Sequence, residues 1–199
     1  ASAEAFSSQS IGGTTGLIST PTAQVAWDGN DVAVDAGIHY INDGDNKSYT
    51  PKVTVSLFKR FEAGITYDMQ EPNRSDNSDL LLHGKFRFFP WNGSGKSNLA
   101  IGGNYQDIHT PSEDFRCGQG YLAATYGGDF FSMPAETTIV IGKTFGSKKY
   151  IDNDNIDFSM GFDLVLFPSI FQGYLHWIND FSNYSYSVNP VGTDAGYRG

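Results

Sequence analysis

The sequence contains little cysteine, little charge and no long apolar run. Its single cysteine, Cys117, excludes an intramolecular disulfide and a cysteine-based metal cluster. The longest apolar runs fall far short of the roughly 18 residues that a membrane helix needs, and apolar residues at the helical spacing of three and four are missing. Charged residues make up 18% of the chain, below the roughly 25% of an ordinary soluble domain. A helical protein is therefore not indicated.

Positive charge is scarce as well. Only 13 Lys and Arg are spread along the chain and the formal net charge is −9, which argues against a nucleic-acid partner. Acidic residues gather in predicted loops at 42–46, 76–79, 113–114 and 152–157. Such runs usually solvate loop tips. The alternative is a weak divalent-cation site on the outer face at Asp152, Asp154 and Asp157, which lacks the Gly and Glu of an EF-hand loop. No cofactor is predicted.

What the sequence does contain is an alternation of apolar and polar residues. Stretches of roughly nine to eleven residues, each bounded by Gly, Pro, Asn, Asp or Ser, have apolar residues at every second position. In residues 156–167 the even positions are all apolar, while Asp157, Ser159, Gly161 and Asp163 oppose them. A period of two is that of a β-strand. The candidate strands are residues 31–41, 52–60, 62–70, 82–88, 97–108, 120–128, 136–146, 156–167, 169–178 and 184–189.

These lengths suit strands that cross a bilayer at a tilt, with lipid on one side and a polar lumen on the other. The polar face is rich in small neutral residues such as Gly102 and Thr138, which suit a crowded lumen better than open water. Aromatic residues such as Tyr40 and Tyr105 lie near strand ends, as at membrane interfaces. The residues predicted to line the lumen are Glu62, Asp68, Gln70, His83, Lys85, Arg87, Asn104, Gln106, Asp163 and His176. Those predicted to face lipid are Val32, Val34, Ile38, Ile65, Phe86, Phe88, Ile139, Ile141, Phe158, Met160, Phe162, Leu164, Leu175 and Trp177.

The predicted fold class is all-β, an antiparallel up-and-down transmembrane β-barrel of about ten strands. Longer outer connections are expected at 42–50, 71–79, 107–119, 147–155 and 179–183, and shorter ones at the opposite, periplasmic end. Residues 30–199 form the predicted barrel domain. Residues 1–29 form an N-terminal segment tucked against or into it.

Within the N-terminal segment, Gly12, Gly13 and Gly16 permit tight turns, and Pro21 cannot donate to a sheet. We expect residues 17–22 to form a short extended piece at the periplasmic end of the barrel. A first or edge strand of the barrel is the alternative.

The segment Gly16-Leu-Ile-Ser-Thr-Pro-Thr-Ala23, followed by Asp28-Gly29, resembles the opening motif of the YjbH-like outer-membrane barrel proteins. Lys85-Phe-Arg-Phe-Phe-Pro90 with Leu99-Ala-Ile-Gly102, and Gly161 with Phe167-Pro168, look like the strand–turn pattern of that family. The resemblance implies a diderm bacterium, an outer-membrane location and a link to exopolysaccharide production or an unknown role. It also implies further strands after Arg198, giving about twelve. The opening residues, 1–5, fit a mature chain whose signal peptide has been removed.

No catalytic arrangement is evident. Two of the four histidines have a carboxylate close in sequence, His39 with Asp43 and His176 with Asp180, and we interpret both histidines as hydrogen-bonding residues of the lumen. The sequence therefore predicts a non-enzymatic outer-membrane barrel with a structural, scaffold or partner-docking role in the cell envelope. Its predicted partners are outer-membrane lipid and another envelope protein or surface polysaccharide.

Two alternatives remain. In a narrow barrel, long opposite charges would pair across the lumen and restrict a channel, which favours a plugged interior. The first alternative is a small porin-like diffusion channel whose selectivity is set by Lys85 and Arg87. The second is a soluble extracellular all-β protein that self-assembles through its apolar faces and sheet edges.

Overall fold

The computed structural model describes residues 8–26, 31–43, 46–71, 78–88, 97–109, 114–146 and 156–182. Within these ranges nine antiparallel strands form one curled half-barrel sheet, and each strand pairs with its neighbour along the chain. The predicted all-β class and antiparallel sheet are confirmed. The strands are β1 Val32–Asp43, β2 Asn46–Leu57, β3 Phe61–Glu71, β4 Ser78–Arg87, β5 Asn98–His109, β6 Asp114–Phe130, β7 Met133–Gly146, β8 Asp157–Val165 and β9 His176–Ser182.

The alternation of the sequence becomes two chemically different faces of the sheet. On β3, for example, Phe61 and Ile65 are exposed on the outer face, while Glu62 and Thr66 are buried on the inner face. The pairing is continuous from strand to strand, so residues on one register line share a face. The inner face carries most of the buried polar residues, and the outer face carries most of the exposed large apolar ones.

A tight turn joins β6 to β7 at one end of the strands. Phe131 and Ser132 alone connect β6 to β7, with φ of 47° and 64°. Positive φ at both central residues defines the turn whose twist matches that of the flanking strands. Between β8 and β9 the chain makes one helical turn, α1 (Pro168–Phe171), flanked by Phe167 and Gln172, both in the left-handed region. This end corresponds to the end predicted to be periplasmic.

Several strand boundaries differ from the sequence-based prediction. Residues 169–178 were expected to form a strand, but Pro168 starts α1 and β9 begins only at His176, because proline fixes φ and lacks an N–H donor. Only residues 44–45 separate β1 from β2, so the long connection expected at 42–50 is wrong. Similarly, β6 begins at Asp114, which places Cys117 in a strand rather than in a loop. The predicted strand at 184–189 lies outside the described residues.

The described residues include no helix that is long and apolar enough to span a bilayer.

Candidate functional site

The inner face of the sheet gathers the residues that the sequence predicts to line a lumen. All ten project to this face. Glu62, Asp68, His83, Lys85, Arg87 and Gln106 are buried, and Gln70, Asn104, Asp163 and His176 are half-buried. Because the sheet curls around this face, side chains from β1 and from β9 are directed into the same space. The interior is therefore polar, charged and largely closed to solvent.

The outer face holds the residues predicted to contact lipid. Val32, Val34, Ile38, Ile65, Phe88, Ile139, Ile141, Leu175 and Trp177 are exposed, and Phe86, Phe158, Met160 and Phe162 are half-buried. Leu164 departs from the prediction, since it is only 6% exposed. It lies directly opposite Trp177 in the β8–β9 register, and the Trp177 indole packs edge-on against Phe162, so large rings surround the leucine.

The inner face is covered by the N-terminal segment, of which residues 8–26 are described and most are buried. The segment folds into two successive tight loops. In the first, residues 10–14, Ser10 N–H donates to Thr14 O at 2.9 Å; in the second, residues 17–20, Leu17 N–H donates to Thr20 O at 2.9 Å. Gly13 lies in the first loop with φ of 90°, a conformation that favours glycine. Residues 17–22 therefore form a tight loop closed by an isolated bridge between Gly16 and Pro21, and the prediction of an extended piece is wrong.

The backbone of the first loop is held by side chains of β2 and β3. The Lys52 ammonium on β2 donates to Ser10 O at 2.8 Å and to Ile11 O at 2.6 Å. The hydroxyls of Thr54 and Thr66 donate to Gly13 O and Gly12 O at 2.7 and 2.9 Å. Lys52, Thr54 and Thr66 are buried. All four contacts are made to backbone carbonyls, so they depend on the conformation of the loop more than on its side chains.

The centre of the site is a buried ion pair between Glu62 on β3 and Lys85 on β4. Lys85 Nζ lies 3.2 Å from Glu62 Oε1, and both side chains are fully buried. Glu62 also accepts hydrogen bonds from Thr15 N–H at 2.9 Å and from Ala26 N–H at 3.2 Å. Lys85 donates to Thr15 O and Thr22 O at 3.0 and 3.1 Å. The pair thus satisfies its remaining donors and acceptors with the backbone of the N-terminal segment, as a buried charge requires.

Beyond the ion pair, the last part of the segment, residues 22–26, contacts β4 to β7 without forming a strand. Ala23 packs in a small apolar cluster with Ala100, Tyr121, Ala123 and Val140. Its N–H donates to the Thr125 hydroxyl at 2.8 Å. The Gln24 amide accepts from Asn98 and donates to Glu136, at 2.8 and 3.3 Å. The small inward residues of β5 to β7 leave the room that residues 22–26 occupy.

The second loop reaches the last strands of the sheet. Ser19 N–H and Thr20 N–H both donate to Asp180 Oδ2 on β9, at 2.8 and 2.7 Å. The Thr20 hydroxyl bonds with that of Ser159 on β8. Residues 8–26 therefore contact strands from β1 to β9.

Of the two histidine pairs suggested by the sequence, the pair of His176 with Asp180 does not form. Both residues lie on β9, where positions four apart are too distant to meet, and His176 Nδ1 lies 2.7 Å from Asp163 Oδ1 on the neighbouring strand. His39 Nδ1 lies 2.5 Å from Lys52 Nζ, and the Asp43 side chain lies outside the described residues. The histidines act as hydrogen-bonding residues in the interior.

The weak cation site of the sequence is not assembled in the described part of the chain. Asp157 lies on β8, buried on the inner face, and its Oδ2 accepts from Gln119 and Thr144 at 2.8 and 2.6 Å. Asp152 and Asp154 lie outside the described residues. Among those described, no group of three or more His, Cys, Asp or Glu side chains could hold a metal ion.

Sequence reasoning missed Lys52, Thr54, Thr66 and Asp180 as site residues. All four occupy the polar positions of their strands, so the alternation could have identified their face. The alternation could not identify their hydrogen-bond partners, because those partners lie in the N-terminal segment, far away in the sequence.

Comparison of the chain with protein-family models, with curated proteins and with solved structures finds no match. Of the motif residues that resemble YjbH-like proteins, Gly16 to Ala23 form the second loop and the residues directly after it. Asp28, Gly29 and residues 89–90 lie outside the described residues.

Proposed function

We propose that this chain is a non-enzymatic β-barrel protein of an outer membrane whose lumen is filled by its own N-terminal segment. In this proposal it serves as a structural or partner-docking component of the cell envelope. The observation that carries the proposal is the polarity of the sheet. Large apolar side chains are exposed on the outside, and charged and hydroxyl side chains are buried inside.

The outer face is costly to keep in water. Val34, Ile38 and Leu122 are 63%, 65% and 59% exposed, and exposed large apolar residues outnumber the buried apolar ones among the described residues. Apolar surface costs about 25 cal/mol per Å² in water, and soluble monomers rarely expose contiguous apolar patches of more than a few hundred Å². Acyl chains around this face would remove the cost, which supports a membrane location.

The inner face supports a closed lumen rather than a diffusion channel. Lys85, which the channel alternative makes a selectivity residue, is fully buried in its pair with Glu62. Both Lys52 and Lys85 donate to backbone carbonyls of the N-terminal segment. Charges that would line an open pore are thus engaged by the chain itself. A barrel that passes no solute would act by binding other molecules or by holding them in place. The proposal therefore assigns it a structural or docking role.

The test is reconstitution of the purified protein. We expect it to need detergent for solubility, to float with lipid vesicles in a density gradient, and to give no steady conductance in a planar bilayer. The first two results would follow from the apolar outer face, which binds lipid or detergent. The absence of conductance would follow from the occupied lumen.

Two results would contradict the proposal. Steady, ion-selective conductance that changes on replacing Lys85 would favour the diffusion channel. A monodisperse protein in aqueous buffer without detergent, absent from the vesicle fraction, would favour the soluble self-assembling protein.

A further inference from the structure

The N-terminal segment is hydrogen-bonded to strands at opposite edges of the sheet. Gln9, the residue before the first loop, donates to Asp35 O on β1 at 3.2 Å and to the Thr54 hydroxyl on β2 at 3.1 Å. Ser19 and Thr20, in the second loop, donate their N–H groups to Asp180 on β9. The segment therefore connects the first strands of the sheet order to the last one.

The connection across the interior is short. Lys52 on β2 donates to Ile11 O at 2.6 Å, and Ile11 N–H in turn donates to Ile18 O at 2.8 Å. The next residue, Ser19, donates to Asp180 at 2.8 Å. Three successive hydrogen bonds thus link the inner face of β2 to that of β9, through the segment rather than through the sheet.

Two glycines on the inner face let the segment approach the strands at both edges of the sheet. A Cβ atom added at Gly37 on β1 would lie 2.6 Å from Gln9 Oε1. At Gly161 on β8, which pairs directly with Asp180, it would lie 2.5 Å from a backbone oxygen of β9 and 2.6 Å from Leu17 Cδ1. A side chain at position 37 would crowd the Gln9 side chain, and one at position 161 would crowd both β9 and the second loop. Glycine at these two positions therefore leaves room for the segment close to the strands.

We propose that the N-terminal segment, residues 8–26, is a strap that holds the first and last strands of the sheet together across the lumen. Asp180 on β9 is the residue to which the strap is attached. This inference rests on the proposed function, because it concerns how the N-terminal segment is kept inside the lumen that it fills. The curl of the sheet is then fixed by a chain segment inside it in addition to strand pairing. Asp180 fastens the strap because a single carboxylate oxygen accepts two backbone N–H groups, and charged acceptors make the stronger hydrogen bonds.

The test uses the full chain in lipid vesicles with a nitroxide label on Ile18→Cys in a Cys117→Ser background. Ile18 is 48% exposed, so the label fits without displacing the loop. We expect an immobilised label in the parent protein and a mobile label after Asp180→Ala. Loss of two hydrogen bonds to a carboxylate should raise the population of released loop by on the order of a hundredfold. Asp180→Asn, which keeps one acceptor oxygen, should give an intermediate mobile fraction.

The matched control is Asp163→Ala. It removes an inward carboxylate from the neighbouring strand, but Asp163 pairs with His176 and not with the strap. The label should stay immobilised in this variant. If the labelled protein inserts into vesicles and the label stays immobile in both Asp180 variants, the strap proposal is overturned. If no variant enters vesicles, the proposed membrane function fails instead, so the two failures are distinguishable.

Discussion

Replacing Glu62 with glutamine is expected to lower the free energy of unfolding by about 3–5 kcal/mol, the cost of removing one partner of a buried ion pair. Glu62→Gln keeps the size of the side chain but leaves the Lys85 ammonium buried without its counter-charge. It also weakens the acceptor of Thr15 N–H and Ala26 N–H, so the N-terminal segment loses its central attachment. Urea unfolding in detergent micelles, followed by tryptophan fluorescence, measures the change.

The chain supplies a matched control on its surface. Asp107 and Arg116 form an ion pair at 3.3 Å whose arginine side chain is 70% exposed. Asp107→Asn makes the same chemical change and should alter stability little, because solvent screens an exposed pair. The double variant Glu62→Gln/Lys85→Met should be less destabilised than the sum of its single variants. Equal effects of Glu62→Gln and Asp107→Asn would show that the buried pair does not hold the segment.

Arginine at position 139 is expected to destabilise the membrane-inserted protein by about 2–4 kcal/mol, as for a cation at the bilayer midplane on the lipid face of a barrel. Ile139 lies near the middle of β7 and is 45% exposed on the outer face. The Ile139→Arg side chain would enter hydrocarbon with no partner. The measurements are the fraction that floats with vesicles and the urea midpoint of the inserted protein.

Phe131→Arg is the control for the same substitution at a different depth. Phe131 is 84% exposed in the turn between β6 and β7. In the proposed membrane barrel this turn would lie at the interface. There the cost should fall to about 0–1 kcal/mol. The comparison also separates the membrane protein from the soluble alternative. In water Ile139→Arg would improve solubility and leave stability nearly unchanged, a result that contradicts the lipid-facing assignment.

The outline of the sheet was predictable because it depends on local pattern. Alternation of period two marks the two faces of each strand without knowledge of any neighbour, and all ten residues predicted to line the interior project inward. The polar character of that interior was visible for the same reason. The exception on the outer face is Leu164, which is buried beside the aromatic pair of Phe162 and Trp177. Burial of this kind depends on side-chain packing and not on periodicity.

The strand boundaries were harder to predict where the amino-acid composition suggested a loop. The acidic and glycine-rich stretch around Cys117 was interpreted as a connection, yet β6 passes through it. Its pairing with β5, such as Ile108 with Phe115, supplies partners that local composition does not reveal. The opposite error occurred at 169–178, where apolar residues suggested a strand and Pro168 starts a helical turn.

By itself, then, the amino-acid sequence determined the all-β class, the antiparallel strands and the chemistry of each face, because these follow from backbone geometry at neighbouring positions. Only the tertiary structure decided that the N-terminal segment fills the interior and which charge each buried group meets. Ser19 and Asp180 are separated by 161 residues, and Thr15 and Glu62 by 47. Contacts at such separations arise from the curl of the whole sheet around one segment, which no local pattern encodes.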